Sequence, residues 1–175
     1  SANDVTVVDA GMVDLQGTVS NDLLVSNSTG VTDSGTLSVT GTTGITTSGD
    51  GSVALDSDGN ALTGVVTVSS GAGDITLDNN TTDLSLVSTS SGMVTIEDAG
   101  ALTVEGSMGS FMVTEADSVA NTGALSVTGV STIDTSGANG AVTLDDDGNA
   151  TGETKATQLS IFATAIPTIT YTLNF

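Results

Sequence analysis

Apolar residues along this chain come in short pairs two positions apart, as in Leu37/Val39, Val53/Leu55 and Ile75/Leu77. That spacing puts both side chains on one side of an extended strand, because successive strand residues point to opposite faces. Helical spacing is nearly absent. Between the pairs lie Gly, Asn, Asp, Ser and Thr, the residues that turn a chain. The pattern predicts an all-β protein built from many short strands.

Two kinds of strand alternate. One, often followed by Gly, comprises Leu37/Val39, Val66/Val68, Leu84/Leu86, Leu102/Val104 and Leu125/Val127. The other, usually followed by an acid, comprises Val53/Leu55, Ile75/Leu77, Val94/Ile96, Phe111/Val113 and Val142/Leu144. The first kind recurs at steps of 29, 18, 18 and 23 residues, so a two-strand unit of about 18 residues repeats with inserts. Segment 35–49, GTLSVTGTTGITTSG, matches 123–137, GALSVTGVSTIDTSG, at an offset of 88 residues. Each copy holds a lone isoleucine, Ile45 or Ile133, expected to form a short third strand.

A parallel β-solenoid with coils of about 18–29 residues accounts for this pattern, each coil giving one strand to each of two or three sheets. Equivalent aliphatic side chains then stack from coil to coil. The rival is an antiparallel β-sandwich, which short strands at regular spacing also suggest. The alternation of two strand kinds and the scarcity of large core residues favour the solenoid. Residues 1–155 read as the solenoid domain and 156–175 as a C-terminal apolar, alternating strand.

Composition narrows the function. The 175 residues carry 21 acids, one cation (Lys155) and no His, for a net charge of −20. Mean hydropathy is nevertheless positive, at +0.25, so this is a folded chain with an acidic surface and not a disordered acidic tail. Aromatics make up 2%, which fits a narrow aliphatic interior. Nucleic acid is excluded as a partner, since phosphate binding needs Lys and Arg, and docking on an anionic membrane fails for the same reason. No stretch reads as a membrane span. Without His or Cys there is no Ser–His or Cys–His nucleophile and no zinc site of the usual type. The chain reads as a non-enzyme, and Lys155 as a surface residue. No signal-like segment opens the chain, so Ser1 reads as a processed or cut start.

Two stretches raise the question of a site. LDSDGNA and LDDDGNA alternate hard oxygen donors around a glycine, at Asp56, Asp58 and Asn60 and again at Asp145, Asp147 and Asn149. Ca²⁺ prefers such donors, yet neither copy supplies the distant Glu of an EF-hand, and the same residues make turns. Stacked coils are expected to bring Asp56, Asp78, Glu97 and Asp145 onto one edge, where divalent cations would relieve repulsion. The last residues, IPTITYTLNF, alternate Ile169, Tyr171, Leu173 and Phe175 with polar residues. They read as a terminal cap, as a strand that completes a neighbouring subunit, or, by their terminal Phe, as similar to the closing strand of a bacterial outer-membrane barrel. One such strand cannot close a barrel. Pro167 suits a strand start or edge.

The run of L-x-V strands with Gly, Thr, Asn and Asp turns, over roughly 35–150, resembles the β-helical repeat regions of bacterial surface exoproteins, filamentous-haemagglutinin-like proteins and autotransporter passengers among them. The resemblance implies secretion to the bacterial cell surface and roles in adhesion, biofilm or coating. It carries over no catalytic residue. The expected function is a structural subunit of an extracellular filament or layer, self-associating head to tail through β-strand contacts at Ile169–Phe175. The alternative is an adhesin stalk with any ligand site in the inserts at 40–49 and 128–137.

Overall fold

The computed structural model describes residues 1–9, 11–80, 82–135, 140–144, 158–162 and 169–171. Its strands follow the coil. β1 (Val5–Val8), β2 (Met12–Asp14) and β3 (Gly17–Val19) make the first turn; β4 (Leu23–Ser28), β5 (Gly30–Thr32) and β6 (Leu37–Val39) the second; β7 (Thr43–Thr47), β8 (Val53–Leu55) and β9 (Ala61–Leu62) the third. Each later turn has two strands: β10 (Val65–Gly71) and β11 (Ile75–Leu77), β12 (Leu84–Ser90) and β13 (Met93–Ile96), β14 (Ala101–Met108) and β15 (Ser110–Val113), β16 (Ser118–Val127) and β17 (Val130–Asp134). β18 (Val142–Leu144), β19 (Gln158–Phe162) and β20 (Ile169–Tyr171) complete the described strands.

Every strand pairs in parallel with its counterpart one turn away. A nine-stranded sheet runs β1-β4-β7-β10-β12-β14-β16-β18-β20, an eight-stranded sheet runs β2-β5-β8-β11-β13-β15-β17-β19, and β3-β6-β9 form a third. The protein is thus a parallel β-solenoid of about 7 turns with ~19 residues per coil, and no helix occurs among the described residues. The segment set apart in the sequence, 156–175, supplies β19 and β20 to the two long sheets, on β17 and β18.

The interior follows from the two-residue spacing. On the eight-stranded sheet, Val31, Val53, Ile75, Val94 and Phe111 stack in register, and beside them Leu55, Leu77, Ile96, Val113 and Ile133. All are 0–1 % exposed. On the nine-stranded sheet Leu84, Leu102, Val119 and Val142 form a further column. Burying each such side chain is worth about 1.5–3 kcal/mol, and the columns hold together because equivalent strands of successive coils lie ~4.8 Å apart.

The assignment of strand kinds changes in two places. Leu37/Val39 forms β6 in the third sheet, and it is Ile45, in β7, that stands in line with Val68 of β10. Ile133 lies in β17 of the eight-stranded sheet, and Val142/Leu144 in β18 of the nine-stranded one. Pair spacing alone specifies a strand, not the face of the coil that receives it.

The third sheet ends for a local reason. One turn beyond β9 stands Asn79, whose Oδ1 accepts from the Leu62 backbone N–H at 2.7 Å while its Nδ2 donates to the Leu62 carbonyl at 3.2 Å. A single amide thus replaces a strand. The next turns fill that corner with buried Ala99 and Ala116, and the loop closes by single bonds, Gly100 N–H to Thr82 and Asp117 N–H to Gly100.

Candidate functional site

Carboxylates concentrate where strands of the eight-stranded sheet end. Asp33 follows β5, Asp56 β8, Asp78 β11, Glu97 and Asp98 β13, and Glu115 β15. The coil repeat stacks them into an acidic ridge. Burial, followed by the charge of Asp56, Asp78 and Asp58, raises the Glu97 carboxyl above its ordinary value. Asp78 is raised by burial and, more weakly, by Asp98, Asp58 and Asp33. Asp98 is raised by burial and by Glu115 and Asp117. The expected edge of Asp56, Asp78 and Glu97 is therefore present. Asp145 lies outside the described residues, and the strand before it, β18, belongs to the other long sheet.

The first acidic phrase sits on this ridge as a braced loop. Asp33, 8 % exposed, lies one coil below and accepts from the Asp56 N–H at 2.9 Å and from Asn60 Nδ2 at 2.6 Å. Asn60, fully buried, also accepts the Leu37 N–H at 2.7 Å. Its carboxamide is committed to the fold, which leaves Asp56 and Asp58 facing solvent. Among the described residues, no group of three or more acids is placed to hold a metal ion. Asp145, Asp147 and Asn149 lie outside the described residues.

Other acids perform a second task. At the corners, where no strand can carry the ladder, an aspartate reaches to the backbone of the coil above. Asp22 accepts from the Thr42 N–H at 2.7 Å, Asp14 from Ser34 at 2.8 Å, Asp50 from Ala72 at 2.9 Å, Asp74 from Met93 at 2.8 Å and Asp83 from Ala101 at 2.9 Å. Bonds with an ionised acceptor are the stronger kind. Much of the acidic composition is therefore corner architecture.

A feature that the strand pattern left unread is a row of hydroxyls on the outer face of the nine-stranded sheet. Ser26, Thr46, Ser69, Thr89, Ser107 and Ser126 stand in register on successive coils. A shallow depression beside it is lined by Ser69, Gly71, Thr89, Ser90, Ser91 and Ser107. The signal was available in the polar residue that follows the inward positions of each strand. Of the inserts at 40–49 and 128–137, β7 and β17 build Thr43–Thr47 and Val130–Asp134 into the two long sheets, and 136–137 lie outside the described residues. Of the terminal residues, Ile169 and Tyr171 lie in β20, opposite Val142 and Leu144 of β18, whereas Leu173 and Phe175 lie outside the described residues.

No curated protein and no solved structure matches the chain. A family profile matches it twice, over residues 2–69 and 91–158. The copies align VTVVDAG (5–11) with VTIEDAG (94–100), and Gly17 with Gly106, which have almost the same backbone angle, φ 106° and 109°. By that alignment β1 of the nine-stranded sheet is equivalent to β13 of the eight-stranded sheet, so one repeat advances the solenoid by four coils and one further face. With most of its length covered by these two matches, the chain belongs to the family described as Repeats of unknown function (DUF5649).

Proposed function

We propose that this chain is a non-enzymatic structural rod of an exported bacterial surface protein. The observation that supports the reading best is continuity: both family repeats feed the same two long sheets, with no break in either ladder where one repeat gives way to the next. A continuous ladder resists bending, because each coil is tied to its neighbours along whole strands and at the corners. The surface is suited to spacing and not to catalysis. Its acids brace corners or line a solvated ridge, and the sequence holds no His or Cys. The likeness of its L-x-V strands to bacterial exoprotein repeats agrees with export. Divalent cations enter this reading as counter-ions that lower repulsion along Asp56, Asp58, Asp78 and Glu97.

Small-angle X-ray scattering of the purified chain, with Ca²⁺ and with EDTA, tests it. About seven coils at ~4.8 Å each predict a stack roughly 34 Å tall on a fixed cross-section in both conditions. A scattering profile that does not fit that stack would sink the rod reading. A Tm that is the same in Ca²⁺ and EDTA would remove the counter-ion role and leave the rod.

A further inference from the structure

Motifs of the form Asn-x-Ser/Thr mark acceptors of N-linked glycan in exported proteins. They occur here at Asn27-Ser28-Thr29, Asn79-Asn80-Thr81 and Asn80-Thr81-Thr82, and again at Asn149-Ala150-Thr151, outside the described residues. The structure separates the first three. Asn79 is fully buried, and its Nδ2 donates to the carbonyls of Leu62, Thr82 and Asp83 at 3.1–3.2 Å. A substituent on that nitrogen would break the corner that ends the third sheet. Asn27 is exposed, but it lies within β4, its Nδ2 donates to the Asp9 carboxylate, and the next residue, Ser28, is fully buried.

Asn80 differs. It lies between β11 and β12, outside any ladder, and is exposed. Its backbone is left-handed, with φ 49°, a turn conformation that Asn tolerates. The turn is held from within, because the Asn80 N–H donates to Asp78 Oδ1 at 2.7 Å and the Thr82 N–H to the Asn79 carbonyl at 3.0 Å. Among the described residues the Asn80 carboxamide has no hydrogen-bond partner. The chain thus turns Asn79 into the fold and leaves the neighbouring amide in solvent.

We propose that Asn80 is an acceptor site for N-linked glycan, with Thr82 as the hydroxyl residue of its motif. The proposal rests on the export part of the reading above. The donor class is an oligosaccharide joined through its anomeric carbon to a lipid pyrophosphate. In the transfer, Asn80 Nδ2 bonds to the anomeric carbon as the bond from that carbon to the phosphate oxygen breaks. The pyrophosphate leaves with the bonding pair, and Nδ2 gives up one proton to a base of the transferase. A turn can enter a transferase cleft without unpairing a strand, whereas Asn27 would have to leave β4. A glycan at Asn80 adds neutral, hydrated bulk beside Asp78 of the acidic ridge, which suits a surface spacer.

The test incubates the folded, purified chain with an oligosaccharyltransferase and a lipid-pyrophosphate-linked oligosaccharide. Mass spectrometry after cleavage at acidic residues then reads each motif. Folded protein is used because an unfolded chain would offer Asn79 as well. One glycan mass is expected at Asn80, with Asn27 and Asn79 unmodified. Asn80→Gln and Thr82→Ala should each lose it with unchanged Tm, and Thr82→Ser should keep it. Should Asn80→Gln lower the Tm, Thr82→Ala is read in its place, since it leaves both the acceptor and the Asn79 motif intact. A folded wild type that stays unmodified at Asn80, a glycan that survives Thr82→Ala, or transfer to Asn27 in preference to Asn80 would each overturn the proposal. Scattering on the same sample keeps the two readings apart. An unmodified chain that fits the stack of coils leaves the rod standing, and a profile that does not fit removes the rod whatever the glycan result.

Discussion

The first repeat and the second use similar strands to build differently shaped turns. In the first, Gly17 opens β3, a strand of the separate third sheet. In the second, the equivalent Gly106 lies inside the long β14, at a shift of register against β16. Both glycines hold φ near +106 to +109°, so the chain bends in the same way twice. What differs is the layer beneath. Around Gly17 nothing lies within 4 Å of an added Cβ, whereas at Gly106 it would strike the Ser88 carbonyl of the coil below. The corner belongs to the sequence, but the sheet it delivers the chain to belongs to the neighbouring coil.

Substitutions can break that comparison, and the largest effect is expected in the core. With LLV (23–25) of the first repeat aligned to FMV (111–113) of the second, Phe111 takes the place of Leu23, and both are 1 % exposed. Phe111→Ala should cost about 3–5 kcal/mol, and Phe111→Leu, which restores the side chain of the first repeat, about 1 kcal/mol. Urea midpoints check both. If the alanine variant costs no more than the leucine one, the aromatic is not packed as described.

The paired glycines come next. Gly106→Ala should lose about 2–4 kcal/mol, because it combines a strained angle with a backbone collision. Gly17→Ala meets the angle alone and should lose about 1 kcal/mol. Equal losses in thermal melts would mean that the coil below does not distinguish the two corners. Asn79→Ala then tests the end of the third sheet. It leaves the Leu62 N–H and carbonyl without their amide partner and should cost about 1–3 kcal/mol. Amide exchange at Leu62 should speed up selectively.

The smallest effect is electrostatic. Asp78, Glu97 and Asp98 have raised carboxyls in the folded chain, so the fold takes up protons at a pH where the unfolded chain does not. Their contribution is destabilising at neutrality and fades as pH falls through the raised values. Stability should therefore rise as pH falls from neutrality toward the carboxylate range. Asp4 works in the opposite sense. Its carboxyl is lowered chiefly by the Asn21 side chain, and what it contributes is lost in stronger acid. Glu97→Gln should raise Tm at neutral pH by on the order of 1–2 °C, a surface-sized effect, and flatten the slope on acidification. A slope unchanged by that substitution would take Glu97 out of the coupled ridge.

Much of this was legible along the chain. Pairs such as Ile75/Leu77 and Val94/Ile96 announce inward strand positions, and their recurrence announces stacking. The ridge could be read from the acids that follow the second kind of strand. The roles of Asp33 and Asn60 could not, because their partners lie 23 to 27 residues away and depend on which coils become neighbours. The hydroxyl row was missed for a related reason, since an isolated Ser or Thr after a strand reads as a turn until six of them stand in register.

By itself, then, the sequence determined the strand period, the aliphatic interior and the positions of the corners, because these depend on residues two to five apart. The tertiary structure decided the phase. The repeat does not span a whole number of coils, so equivalent segments such as β1 and β13 arrive on different sheets. Which face a strand joins is set by the coil already stacked below it, a long-range condition that no local pattern encodes.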